Sequence, residues 1–115
     1  MRKQMVENAA YEVATQVRAV EDSIEAALAD LAELQTRMIH ARSVTGVAFI
    51  TSHAAFEQIA TATTGLISAR GGIAHCHAVL AETVKTIPGL RTVGIGDQGD
   101  CPPIGSAQPD LRVVA

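Results

Sequence analysis

The sequence predicts an all-α fold: a long antiparallel, coiled-coil-like helical hairpin over residues 1–88 that assembles into a four-helix bundle, followed by an irregular Gly/Pro-rich tail over 89–115. Three observations predict it. The first is a seam of twelve positions spaced three and four apart: Val6, Ala10, Val13, Val17, Val20, Ile24, Ala27, Leu31, Leu34, Met38, Ala41 and Thr45. Such a 3.5-residue mean period needs a partner helix along its length. The second is a matching series in the next third of the chain, and the third is a face of small residues beside it.

Helix one is expected over about residues 3–42, whose interior holds neither Gly nor Pro. Its exterior is acidic. Glu7, Glu12, Glu21, Asp22, Glu25, Asp30 and Glu33 accompany one interior base, Arg18, before Arg37. A solvated outer face explains them better than a docking surface for a basic partner.

From Ser43 to Ser52 the β-branched Val44, Thr45, Val47, Ile50 and Thr51 surround Gly46, which weakens helix propensity and predicts a turn. Thr51 or Ser52 can cap the helix that follows. Val44, Val47, Phe49 and Ile50 crowd this turn. They either close the end of the bundle, with Phe49 reaching Phe56, or mark a contact with another surface; closure is the expected role.

Helix two, expected over about 52–87, carries Phe56, Ile59, Thr63, Leu66, Arg70, Ile73, His77, Leu80, Val84 and Ile87 in heptad spacing. Ala60, Ile67, Ala74 and Ala81 widen that stripe, and helix one is expected to pack there. Thr63, Arg70 and His77 form a possible buried polar site in the seam, where polar groups can set register. Arg70 can pair with Glu57, Glu82 or an acid of helix one, or snorkel its head to water.

A separate face of helix two reads Ala62, Gly65, Ala69, Gly72, Cys76 and Val79. Gly inside a helix costs about 0.5–1 kcal/mol relative to Ala, so close approach of another backbone is the expected compensation. Two buried-type faces on helix two and one on helix one put helix two inside a twofold dimer of hairpins. The competing arrangements are a helix broken at Gly71-Gly72 and a small face covered by the tail.

Pro88 and Gly89 end helix two, and the 27 residues from Gly89 hold five Gly and three Pro, which excludes a further long helix. Short extended runs fit 91–95 and 111–114. Docking of this tail on the bundle or a neighbour is expected.

Composition bounds function. Twenty Ala with two Phe, one Tyr and no Trp leave few large side chains for a compact globule, whereas close helices use Ala well. The net charge of −3 and scattered bases oppose nucleic-acid binding. No apolar run is long enough for a membrane span, Glu7 and Asn8 interrupt any leader-like core, and the two cysteines, Cys76 and Cys101, fit free thiols. A cytoplasmic location is the resulting expectation.

Chemical motifs are weak. His75, Cys76 and His77 diverge by about 100° per residue around one helix, so no metal site is expected from them. Gly94-Ile95-Gly96-Asp97 lacks the third Gly and following helix of a dinucleotide loop, and Asp97 with Asp100 falls short of a calcium loop. No cofactor and no catalytic residue is expected. The reading is a non-enzymatic homo-oligomeric interaction or structural module, partnered by itself and open to another protein. Its competitors are a small-molecule or metal binder using a bundle cavity near Thr63, Arg70, His75, Cys76 and His77, and an amphipathic coat for an apolar granule or membrane.

Overall fold

The computed structural model describes residues 2–90, and every element in that range is helical. Helix α1 spans Arg2–Thr45 and helix α2 spans Phe49–Val84, joined as a hairpin. Helix α2 runs unbroken through Gly71 and Gly72, so the expected alternative of a break there is excluded.

The turn is shorter than the sequence predicts. Gly46 adopts φ +73°, and its N–H donates to the Arg42 carbonyl at 3.0 Å, which ends α1 with a left-handed residue. Val44, Thr45, Ile50 and Thr51 stay helical because each β-branched penalty is only a few tenths of a kcal/mol, while one Gly suffices to reverse the chain. Neither Thr51 nor Ser52 caps α2. The Thr51 N–H instead donates to the Ala48 carbonyl at 3.0 Å, and Ser52 Oγ bonds back to the Phe49 carbonyl at 3.1 Å.

At its far end α2 stops three residues earlier than expected. Ile87 N–H donates to the Val84 carbonyl at 3.1 Å, a tightened last turn. Leu90 N–H then donates to the Ile87 carbonyl at 3.0 Å across Pro88 and Gly89, and Gly89 has φ +88°. Pro at the second and a positive-φ Gly at the third position are the requirements of a type II turn.

By internal contact the chain divides into two units, Met1–Val20 with the segment from Ile73 onward, and Glu21–Gly72. In the first, Val84 and Leu90 are the fully buried apolar side chains among the described residues, packed by Val6, Ala10, Ala14, Leu80, Ala81 and Ile87. Leu90 is 1% exposed, so the type II turn serves to return this side chain onto the helix pair. In the second unit no described residue is fully buried. The expectations for Gly94 to Asp97, Asp100, Cys101, the extended runs and tail docking past Leu90 lie outside the described residues.

Candidate interaction face

Half-burial reports which rows of each helix face the other. On α2 these are Ser52, Phe56, Ile59, Thr63, Leu66, Ile73, His77, Leu80, Val84 and Ile87, with Val84 buried outright. The sequence-predicted seam is reproduced there, with Arg70 exposed and Ser52 added. The expected widening is not, since Ala60, Ile67 and Ala74 are exposed and Ala81 alone of the four is half-buried.

On α1 eight of the twelve predicted seam positions are half-buried. These are Val6, Ala10, Val17, Val20, Ile24, Ala27, Leu31 and Met38, joined by Glu7, Ala14, Glu21, Leu28, Gln35 and Arg42, one residue beyond the second predicted row. Val13, Leu34, Ala41 and Thr45 are exposed, with Leu34 at 43%. An ion pair accompanies the rotation. Arg70 Nε and Nη2 each donate to Glu25 Oε2 at 2.7 Å, and Glu25 stands on the flank opposite the row of Ala27, Leu34 and Ala41. Both flanks of one helix cannot face the same neighbour.

In the unit Glu21–Gly72, the displaced row has a consequence for surface chemistry. Two antiparallel right-handed helices put equivalent flanks on the same side, so the exposed Leu34 and Ala41 of α1, with the half-buried Ala27, border the same face as the exposed Ala55, Ala62 and Ala69 of α2. Gly65 and Gly72 extend that face around α2. Ala62, Gly65, Ala69 and Gly72 are all exposed, and a Cβ added at Gly65, Gly71 or Gly72 would meet nothing within 4 Å. In the other unit Cys76 and Val79 are exposed as well, and Val79 borders a shallow cleft with Ala78, Glu82, Thr83 and Thr86. The α1 contribution was not foreseen. Its signal was the width of the stripe: Ala14 and Leu28 stand beside the two apolar rows of the predicted seam and broaden it locally beyond what one neighbouring helix covers.

The possible polar site is dispersed. Thr63 is half-buried, and its Oγ1 is enclosed without a hydrogen-bond partner; Arg70 is exposed and held by Glu25; His77 is half-buried. Seven residues along a helix is about 10 Å, so consecutive members of this row do not converge on one ligand. His75 and Cys76 are exposed. Among the described residues no group of three or more His, Cys, Asp or Glu is placed to share a metal ion.

The turn region also departs from expectation. Phe49, expected to close the end of the bundle, is exposed, with the Arg42 guanidinium 5.4 Å above its ring, a cation–π distance. Met38, Ala41, Arg42, Thr45, Val47, Ser52 and Phe56 line a cleft of about 230 Å³ beneath the turn. No helix among the described residues is long and apolar enough to cross a membrane. Comparison with protein families, curated proteins and solved structures finds no match for the chain.

Proposed function

We propose that this chain is a non-enzymatic, homo-oligomeric helical module whose hairpins pair into a four-helix bundle. The observation that carries the reading is the unit Glu21–Gly72, two helices packed lengthwise with no fully buried residue among them. Two helices this long cost backbone and side-chain entropy at every position, and half-buried Ala, Leu and Ile in a single seam offset little of it. A second copy is the partner always present at matching concentration, and it supplies the missing layer. The face formed by Ala27, Leu34 and Ala41 with Ala62, Gly65, Ala69 and Gly72 fits that role, because these side chains are uncharged and, Leu34 apart, small enough for close helix approach.

The composition of α2 supports the same arrangement. Between Glu57 and Glu82 its only Asp, Glu, Lys or Arg is Arg70. A helix without a charged face belongs inside an assembly. The test is mass in solution for the full chain and for Gly72→Leu. On this reading the native chain runs as a dimer or higher oligomer, and Gly72→Leu overpacks the contact at a cost of about 1–3 kcal/mol, lowering the mass. A monomeric native chain with a cooperative thermal transition would sink the proposal.

A further inference from the structure

We propose that the hairpin tip is an interfacial lipid anchor, with Phe49, Ile50 and Val44 entering the headgroup boundary of an anionic bilayer. This inference is independent of the bundle. Val44, Phe49 and Ile50 are 70%, 73% and 75% exposed. Val47 borders the cleft with Met38 and Phe56 and is itself 40% exposed, so Val44, Phe49 and Ile50 are the most exposed of four apolar side chains at the turn. Turn residues in water are usually polar, and what sets the tip apart from the exposed Met5 and Tyr11 is that three such apolar side chains fall within seven positions, a cluster suited to an apolar environment.

Charge selects which one. From Leu34 to Phe56 the chain contains no Asp or Glu, but it contains Arg37, Arg42, His40 and His53. The seven acids of α1 all precede this stretch. Arg37 is engaged by Glu33 at 2.9 Å and His53 approaches Glu57 at 3.7 Å, while Arg42, half-buried with its Nε enclosed and without a hydrogen-bond partner, is the charged side chain nearest the turn among the described residues. Its guanidinium lies against the protruding Phe49 ring. A cation bordering an aromatic and two aliphatic side chains matches the boundary between phosphate headgroups and acyl chains. Nucleic acid would use the cation but not Ile50 or Val44. Because neither helix is apolar enough to cross a bilayer, the contact is shallow and reversible.

The experiment uses the full chain and sedimentation with vesicles of phosphatidylcholine, with and without phosphatidylserine. The native chain is expected to sediment with the serine-containing vesicles, less so at high salt. The Phe49→Ser, Ile50→Ser double variant is expected to partition about tenfold more weakly or less. Arg42→Glu removes the preference for phosphatidylserine. Phe49→Trp, which keeps the turn apolar, gives a blue-shifted emission on vesicle addition. A native chain that stays in solution with both vesicles, a double variant that sediments like the native chain, or a Trp emission that does not move overturns the proposal. A changed solution mass of the double variant does so too, since it makes the tip a contact between copies.

Discussion

Leu90 shows what one side chain contributes in a structure with so little interior. It is enclosed by residues from both helices, and it arrives there only because Pro88 and Gly89 turn the chain back. Leu90→Ala is expected to cost about 2–5 kcal/mol, read as a fall in the midpoint of equilibrium unfolding. An unchanged midpoint would show that the turn only ends the helix. Arg70 and Glu25 are the opposite case, since their 2.7 Å contact is half-exposed and screened. A double-mutant cycle with Arg70→Ala and Glu25→Ala is expected to return a coupling of about 1 kcal/mol or less. A coupling well above 2 kcal/mol would mean that the pair lies desolvated in the native assembly.

Among the elements, the two helices were unequally legible. The inward row of α2 could be read directly because Ile59, Leu66, Ile73 and Leu80 recur every seven residues with few large apolar competitors on other faces. In α1, Val13 and Leu34 compete with Ala14 and Gln35, and the three-and-four spacing alone assigns Val13 and Leu34 to the seam. The structure keeps Val6, Val20 and Ala27 half-buried but exposes Val13, Leu34 and Ala41 in favour of the neighbouring row, and the ion pair from Arg70 to Glu25 acts across residues 45 apart, a distance no local pattern spans. Helix ends were harder still. Thr51 and Ser52 are good capping residues, but Gly46 closes α1 so abruptly that the chain re-enters helix before reaching them. Gly46 is therefore the position on which the turn depends. Gly46→Ala forces a side chain into φ +73° and is expected to destabilise by about 1–2 kcal/mol although nothing crowds the site; Gly46→Asn is expected to cost less. Equal unfolding midpoints for Ala and Asn would argue that backbone conformation is not the controlling factor.

At the scale of the whole molecule, the open space at Gly65 gives a prediction whose sign depends on assembly. In an isolated hairpin Gly65→Ala meets nothing within 4 Å and improves helix propensity, so the variant is more stable by about 0.5–1 kcal/mol. In the proposed bundle the same methyl meets the neighbouring backbone and weakens association. Concentration separates the two without any variant. If folding and pairing are one step, each tenfold dilution of the native chain removes about 1.4 kcal/mol, which for a folding unit of roughly two hundred residues lowers the thermal midpoint by about 3–6 °C. A hairpin stable by itself melts at one temperature at every concentration. Circular dichroism melts across a hundredfold range of concentration, native chain beside Gly65→Ala, therefore read both quantities. A falling native midpoint with a destabilised variant is the expected result, and a constant midpoint with a stabilised variant would remove the second copy from this fold.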